Sequence, residues 1–384
     1  MRRVAVIGVG MTKFGKHERN SAELFAEAAR DAITDAEISP SAIQALYYGN
    51  VTGGEGERQL HTSPLAASLL GLTNIPTTRF ENACATSHVA FRHAVMEVGA
   101  GISDVVLVGG GERVLHIPTD HATEYFAFCS DASYEQPVGL TFPGVFALIA
   151  RAHMEKYGTT EEQMAHVAVK NHRHGVHNPK AQFRKEITLE TVLRSAYVAD
   201  PLKLFDCCPF TDGGAAVVLA SEEVARRHKR SIWVLGSAAA SDTMFMHEKR
   251  DLSRITATER AALGAYRQAG KGPQDVDVVE LHDCFTIAEI VATEGLGFFE
   301  PGMGGIAAEK GWTSVGGKIP VNPSGGLKSK GHPIGATGAA QICEIVTQLR
   351  GEAGPRQVEG ARVGLTHTLG GNTATVLVSL FGRD

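Results

Sequence analysis

The sequence has no pair of cysteines at CxxC spacing, the arrangement typical of zinc ribbons and thioredoxin-type redox pairs. Its six cysteines are Cys84, Cys129, Cys207, Cys208, Cys284 and Cys343. The first residues, MRRVAVIGVGMTKFG, contain too short an apolar run for a signal peptide, and no small-residue cleavage site follows it. We therefore predict reduced thiols, no metal site and a cytoplasmic location.

Long apolar runs and charge of one sign are also scarce. No window approaches the ~18 apolar residues that a membrane span needs. The net charge is only −5 and no segment is polybasic, which argues against nucleic acid or a membrane as a partner. With 43% hydrophobic and 21% charged residues among 384, the chain is predicted to fold around a sizeable core in two or three structural units.

One pattern occurs twice along the chain. Residues 22–50 predict an alanine-rich amphipathic helix, a turn at Pro40 and a short strand. Residues 258–284 predict the same succession, with Pro273 in the turn. A repeat of this size indicates two related halves.

A second repeated pair supports the same division. Residues 84–112 and 335–371 each predict a helix followed by an apolar strand, with Gly335 in the place of Cys84. Continuously apolar strands that alternate with helices are typical of a parallel sheet covered on both faces. The predicted fold class is therefore α/β, with two pseudo-twofold-related α/β halves.

The region between the repeated parts has a different composition. It is richer in histidine, aromatic and charged residues, and we predict a loop domain at about 115–205 inserted in the first half. The predicted halves are residues 1–230 and 231–384. Because long loops on a rigid scaffold often bind ligands, this region is expected to contribute to a substrate pocket.

The histidines of the segment NHRHGVHN do not indicate a metal centre. His172, His174 and His177 have no carboxylate or cysteine at ligand spacing, and a polar loop explains them better. Nearby basic residues such as Lys170 and Lys180 have two interpretations of equal weight. They contact an anionic ligand such as a nucleotide phosphate, or they belong to a solvated face.

Cys84 lies where the extended segment TTRFENA turns into a predicted helix. Unpaired amides and the helix dipole at a helix N-terminus stabilise a thiolate, which lowers the pKa of the thiol and makes the sulfur nucleophilic. An isolated cysteine is more often a packing residue. The other segments of the chain favour the nucleophile.

A glycine-dense loop, NPSGGLKSKGHPIGATG, carries His332 into the matching helix of the second half. Gly325 and Gly326 allow the backbone to approach a ligand closely, and Pro333 fixes the chain after the histidine. We predict His332 as a proton acceptor and the two glycines as contacts for a bound cofactor-like substrate.

Two further segments end predicted strands. ELHDCF places His282, Asp283 and Cys284 at the end of an apolar strand, where sites in α/β folds usually lie. THTLGGNTA (366–374) ends the next strand with small residues whose amides could hold an oxyanion. We interpret His282 and Cys284 as catalytic and Asp283 as a residue that orients the loop.

Together, GHPIGATG and HDCF make the sequence similar to the thiolase superfamily, and more narrowly to its sterol-carrier-protein-type and archaeal acetoacetyl-CoA branch. The resemblance covers essentially the whole chain and implies the five-layer α-β-α-β-α thiolase fold. One position departs from the family pattern. The better-known thiolases have a second catalytic cysteine in a C-x-G motif, where this chain has Thr368.

The resemblance also implies a reaction and its residues. Cys84 would carry the acyl group, His332 would activate it, and Cys284 would act as the acid/base in place of the missing cysteine. His282 would stabilise an enolate, and the amides of Cys84 and Gly370 would form the oxyanion hole. Gly213 would approach the pantetheine arm of coenzyme A. The expected activity is reversible CoA-dependent cleavage of a 3-ketoacyl-CoA, or the reverse Claisen condensation, with no permanently bound cofactor.

Three alternatives remain at the level of sequence: a decarboxylating ketoacyl synthase, a thiolase-like retro-aldolase acting on a hydroxyacyl-CoA, and a noncatalytic acyl-CoA-binding subunit. A ketoacyl synthase also uses a Cys-His-His set, but GHPIGATG and Cys284 argue against it. The retained Cys84 argues against the aldolase, and competent residues at all catalytic positions argue against the binding subunit. The resemblance further implies a homodimer and a small zinc-ribbon/OB-fold partner that binds CoA. Acetoacetyl, long-chain and aromatic acyl groups, such as a benzoylsuccinyl thioester, are all compatible with the sequence.

Overall fold

A mixed β-sheet organises residues 2–383, the part of the chain that the structure, a computed structural model, describes. Its strand order is β3-β2-β4-β7-β1-β8-β11-β10-β9, and a separate hairpin pairs β5 with β6. The strands are β1 (Val4–Met11), β2 (Ala45–Gly49), β3 (Thr77–Phe80), β4 (Val105–Glu112), β5 (Tyr197–Ala199), β6 (Leu202–Lys203), β7 (Gly213–Ser221), β8 (Ile232–Ser241), β9 (Val278–Glu280), β10 (Val363–Gly370) and β11 (Thr375–Gly382).

Two related halves meet in the middle of this sheet. Strands β1, β7, β4 and β2 follow one another outward on one side, and β8, β11, β10 and β9 follow in the corresponding order on the other. The halves join through β1 and β8, where Ala5 pairs with Trp233 and Val6 with Ile232. The predicted α/β fold with two related halves is confirmed.

The helices cover both faces of the sheet and connect its strands. They are α1 (Ser21–Asp35), α2 (Thr62–Leu69), α3 (Thr86–Ala100), α4 (Thr119–Ala127), α5 (Phe142–Tyr157), α6 (Glu161–Gly175), α7 (Leu189–Leu193), α8 (Glu222–Ala225), α9 (Thr256–Ala269), α10 (Thr286–Gly295), α11 (Gly304–Glu309), α12 (Gly326–Ser329) and α13 (Thr337–Arg350). Both predicted helix–turn–strand units are present, because short 3₁₀ turns at Pro40 and Pro273 lead from α1 to β2 and from α9 to β9.

Strand β4 shows how the layers are built. Val105 and Leu107 pack against α1, whereas Val106 and Val108 pack against α3 and α13 on the opposite face. This is why the strand is apolar throughout, since both of its faces are covered. Helices α3 and α13 contact each other between the two halves, and α1 and α9 cover the outer faces. The predicted five-layer arrangement is confirmed.

The strand directions correct one prediction. Only β2–β3, β2–β4 and β9–β10 are parallel, and the other pairs of the sheet are antiparallel. The expectation of a parallel sheet was wrong because β7 and β11 each run antiparallel to both of their neighbours, β7 after the inserted helices and β11 directly after β10. Apolar character reports that a strand is covered on both faces, and it contains no information about direction.

The chain between β4 and β7 contains α4 to α7 and the β5–β6 hairpin. Within it, α6 packs against α10, α11 and α12 of the second half. The limits of a separate loop domain at about 115–205, and of the two halves at 1–230 and 231–384, stay predictions. No helix in residues 2–383 has the length and apolar character needed to cross a membrane.

Candidate active site

A cavity of about 390 Å³ lies where the two halves and the inserted segment meet. The four residues that the sequence predicts as catalytic, Cys84, His282, Cys284 and His332, all line it. Much of the remaining wall is aromatic: Phe126, Phe142, Phe146, Phe210 and Phe285. The structure therefore brings together side chains from both halves in one largely apolar cavity.

The turn before α3 presents Cys84 to this cavity. Ala83 has a φ of +47°, a left-handed conformation that costs a residue with a Cβ about 1–2 kcal/mol. The hydroxyl of Thr86 holds the turn, since it accepts a hydrogen bond from the Asn82 amide at 2.8 Å and donates one to the Ala83 carbonyl at 2.6 Å. Strained backbone of this kind is common where a reactive side chain must be aimed.

The protonation of Cys84 differs from the sequence-based expectation. Removal of the thiol from water raises its pKa well above the ordinary value, and the neighbouring Cys129 raises it further. The expected lowering of the pKa by the start of α3 was wrong, because desolvation in the apolar cavity outweighs the helix dipole. Cys84 is therefore a neutral thiol at rest and needs a base to become a nucleophile.

His332 has a ligand-type atom within 4.8 Å of the Cys84 sulfur and can serve as this base, and two hydrogen bonds fix its orientation. Its backbone amide donates to the Thr211 hydroxyl at 2.9 Å, and its Nδ1 lies 2.7 Å from the Thr337 hydroxyl. That hydroxyl donates its own proton to the Pro333 carbonyl at 3.0 Å, so it must accept from Nδ1. The neutral ring thus has its proton on Nδ1 and leaves Nε2 as an acceptor. Burial lowers the pKa of His332 to about 3, which keeps it neutral.

His282 and Cys284 follow β9 and face the same space. The rings of His282 and His332 meet edge to face, with centroids 5.0 Å apart and planes at 83°. Burial lowers the pKa of His282 well below its ordinary value and raises that of Cys284 well above it. Both ring nitrogens of His282 are buried and have no hydrogen-bond partner within residues 2–383. A buried imidazole without hydrogen-bond partners can bind a polar group of a ligand that enters the cavity.

Three of these side chains come especially close. One ligand-type atom from each of Cys84, His282 and His332 lies within 4.8 Å of the other two. Sequence spacing gave no sign of this cluster, because the residues are up to 248 positions apart along the chain. The histidines of NHRHGVHN do not join it: Nδ1 of His172 contacts the Lys185 carbonyl, and Nδ1 of His174 contacts the Asn322 carbonyl.

Asp283 holds the glycine loop, as the sequence suggests. Its carboxylate accepts from the Leu327 amide at 2.7 Å and from the Asn171 side chain at 2.8 Å. Burial raises the pKa of Asp283 to about 7, and the nearby Glu289 adds to this. Since Asp283 lies between His282 and Cys284 in the chain, these hydrogen bonds fix the positions of both neighbours.

The predicted substrate glycines lie behind the cavity wall and not on it. A Cβ on Gly325 would approach the backbone of Gly175, and one on Gly326 would meet Asp283 Oδ2 at 2.4 Å. A Cβ on Gly213 would lie 2.4 Å from the ring of Phe14. The positions of these three glycines therefore indicate close packing of the loop and strand, and they give no support to contacts with coenzyme A.

Gly370 has a different environment. A Cβ there would lie 2.7 Å from the Asn82 carbonyl and 3.2 Å from the Ala85 amide, so its backbone runs directly beside the Cys84 turn. Thr368 points away from the cavity, with its hydroxyl donating to Gln341 and lying 2.8 Å from His88 Nδ1. Position 368 is thus a packing position in this chain.

Sequence reasoning missed Glu112, at the end of β4. Its carboxylate accepts from the Val51 and Thr52 amides and, across the two halves, from the Gly335 amide at 2.9 Å. Burial nevertheless raises the pKa of Glu112 to about 7. Through the Gly335 hydrogen bond, Glu112 connects the loop after His332 to the half that contains Cys84. The only local signal was an acidic residue ending an apolar strand.

The sequence also left the role of Lys170 open between contact with an anionic ligand and a solvated face. Its ammonium lies 2.6 Å from Glu289 Oε1 and donates to the Val321 carbonyl, with only 4% of the side chain exposed. It is therefore enclosed behind the site and is not available to a phosphate. Asn171 and Asn322 also donate to Glu289, which completes a buried network under the HDCF segment.

The chain matches known protein families and structures along its whole length. A family model described as "Thiolase, N-terminal domain" matches residues 4–223, and one described as "Thiolase C-terminal domain-like" matches residues 238–383. An acetyl-CoA acetyltransferase of Methanothermobacter thermautotrophicus is 48% identical over 385 residues and is covered in full, as is this chain.

Two further similar proteins are named for other activities. The benzoylsuccinyl-CoA thiolase subunit BbsB of Thauera aromatica is 39% identical, with 96% of this chain and 95% of that protein covered. A solved structure described as the Ltp2-ChsH2(DUF35) aldolase has a TM-score of 0.85 at 27% identity, with 100% of this chain and 98% of that chain covered.

Proposed function

We propose a two-step thiolase reaction on acyl-CoA for this chain, which belongs to the thiolase family and is an acyltransferase. The observation that carries the proposal is the convergence of Cys84, His282 and His332 within 4.8 Å in the cavity that Cys284 also lines. This set provides one nucleophile, two proton-transfer groups and donors for developing negative charge.

In the first step, Nε2 of His332 takes the proton of the Cys84 thiol as the sulfur attacks the carbonyl carbon of the acyl donor. The tetrahedral intermediate collapses to a thioester on Cys84. It expels the CoA thiolate from an acyl-CoA, or the acetyl-CoA enolate from a 3-ketoacyl-CoA. The backbone amides of Cys84 and Gly370 would hold the oxyanion. The close approach of Gly370 to the Cys84 turn supports this assignment.

In the second step, Cys284 would act as a thiolate, its own proton having passed to the departing CoA thiolate, and would remove a proton from the α-carbon of acetyl-CoA. The resulting enolate attacks the acyl carbon on Cys84, forms the new carbon–carbon bond and releases the Cys84 sulfur. In the direction of thiolysis, CoA is the nucleophile and Cys284 reprotonates the departing enolate. His282 and His332 would donate to the enolate oxygen. The unpartnered nitrogens of His282 support that role, since an incoming oxygen would satisfy one of them.

Substrate, partners and location are further parts of the proposal. We propose coenzyme A thioesters as substrates, with no permanently bound cofactor, and a cytoplasmic homodimer. The edge strand β3 would supply the pairing surface. A small zinc-ribbon/OB-fold subunit would help to bind CoA. The exposed Val198 and Leu204 at the cavity wall offer it an apolar contact. Acetoacetyl, long-chain and aromatic acyl groups remain candidates.

The test is the intact mass of the protein after brief incubation with acetyl-CoA. Wild type and Cys284→Ala should both gain an acetyl group, whereas Cys84→Ala should gain none. Cys284→Ala should fail to form acetoacetyl-CoA, because it lacks the base of the second step. Cys207→Ala, at another half-buried cysteine of the same cavity, is the matched control and should behave like wild type. A folded wild type without an adduct would instead favour retro-aldol chemistry or a binding subunit.

A further inference from the structure

We propose that the cluster of Cys84, His282 and His332 is also a binding site for a thiophilic divalent cation such as Zn²⁺, and that the bound ion inhibits acylation. One thiolate and two imidazoles form a donor set typical of zinc. In such sites the metal lies about 2.0–2.3 Å from each ligand atom. The three ligand-type atoms are within 4.8 Å of one another, so small side-chain rotations would bring them to tetrahedral separation.

Both histidines have a nitrogen available for the ion. Both nitrogens of His282 are buried without a hydrogen-bond partner in the described residues. His332 donates its Nδ1 proton to Thr337, which leaves Nε2 unprotonated. An outer hydrogen bond on the far nitrogen is what orients a typical metal-binding histidine. The His332 ring therefore already has the tautomer and the outer hydrogen bond that a ligand role requires.

The cavity also determines which ion fits. Its lining contains no aspartate or glutamate, so it offers none of the carboxylate oxygens on which Ca²⁺ and Mg²⁺ sites are built. The three-residue set leaves the fourth tetrahedral position open to water or to an external thiolate. Only soft or borderline cations should therefore bind.

Inhibition follows from the proton balance of binding. The ion displaces the Cys84 proton, which leaves to solvent, and the sulfur lone pair then forms the metal bond. No electron is transferred and no oxidant is needed. Both the nucleophile and Nε2 of His332 are occupied in this state, so Cys84 cannot attack a carbonyl until the ion dissociates.

Equilibrium dialysis of the full chain against Zn²⁺, with no acyl-CoA present, tests this inference. We expect one ion per chain in wild type and Cys207→Ala. Affinity should fall by more than about 100-fold in Cys84→Ala and His282→Ala, and by about 10–100-fold in Thr337→Val, which loses only the outer hydrogen bond. Co²⁺ should give a thiolate charge-transfer absorption in wild type that is absent from Cys84→Ala. Circular dichroism of each variant checks that it is folded.

Alkylation of Cys84 by iodoacetamide provides a second readout that is independent of catalysis. Zn²⁺ should slow it by more than tenfold, EDTA should restore it, and Mg²⁺ should have no effect. Failure of wild type to bind one ion, or unchanged affinity in folded Cys84→Ala and His282→Ala, would overturn the inference. Because no acyl-CoA is used, that result would leave the proposed thiolase reaction to its own test, the acetyl adduct.

Discussion

Nδ1 of His332 lies 2.7 Å from the hydroxyl of Thr337, five residues further along the chain. The same hydroxyl donates to the Pro333 carbonyl, so a single side chain determines which nitrogen of His332 has the proton and which is left as an acceptor. Through His332, this contact connects the start of α13 to the activation of Cys84 in the other half. It also shows why a histidine in a glycine-rich loop can be rigid.

Replacement of Thr337 should disturb catalysis without removing a catalytic group. In Thr337→Val the Nδ1 proton has no acceptor, and we expect kcat/KM to fall by about 10–100-fold. Thr337→Ser keeps the hydroxyl and should recover most of the activity. The measurement is kcat/KM over a range of pH for the three proteins. Loss of activity in the serine variant with activity retained in the valine variant would show that packing of the methyl group, and not the hydrogen bond, is what matters.

Two glycine variants should separate backbone strain from a clash at the site. Gly326 has a φ of +58° and Gly351 one of +76°, so alanine costs about 1–2 kcal/mol of conformational strain at either. Only at Gly326 would the new Cβ meet Asp283, at 2.4 Å from Oδ2, while Gly351 has open space around it.

We therefore expect Gly326→Ala to lose most of its activity, because a displaced Asp283 moves His282 and Cys284. Gly351→Ala should lose only stability. Thermal unfolding and initial rates under saturating substrate provide the comparison. Full activity in a folded Gly326→Ala would mean that Asp283 does not position its neighbours.

Glu112 should make stability depend on pH. Its pKa rises from 4.5 to about 7 on folding, so the folded protein binds a proton more tightly than the unfolded chain. The associated stability is present in full below pH 4.5 and is lost as the pH rises through 7. This rise in the pKa corresponds to about 3 kcal/mol of unfolding free energy.

The difference in unfolding free energy between wild type and Glu112→Gln should therefore shrink by about this amount between pH 4.5 and 7.5. Denaturant titrations at the two pH values measure it, with the exposed Glu190→Gln as the control. A constant difference would show that Glu112 keeps an ordinary pKa in the folded protein.

The same substitution at two buried lysines should have opposite effects. Lys170 forms a buried ion pair with Glu289, and Lys170→Met leaves that carboxylate without its cation, at a cost of about 3–5 kcal/mol. The ammonium of Lys328 is equally buried, and within residues 2–383 its Nζ has no hydrogen-bond partner. Lys328→Met should therefore stabilise the protein by about 1 kcal/mol or more. Chemical denaturation at pH 7 compares the three proteins. Destabilisation by both changes would indicate that the Lys328 charge has a partner such as bound water.

Local patterns in the sequence determined the helix–turn–strand units and most of the candidate site. Apolar periodicity and the prolines at 40 and 273 define those units, because they act within one element. The motifs around Cys84, His332 and HDCF identified side chains that the structure places around one cavity. These features depend on residue type and short spacing, both of which are visible in one chain.

Tertiary structure alone decided the strand directions, the protonation of Cys84 and the role of Glu112. The hydrogen bond from Gly335 to Glu112 joins residues 223 positions apart, and no local pattern reports such a contact. Desolvation of Cys84 likewise depends on which remote side chains enclose it, and that enclosure outweighed the helix start visible in the sequence. The sequence by itself thus specified the elements and the reactive groups, whereas long-range packing set their electrostatics and orientation.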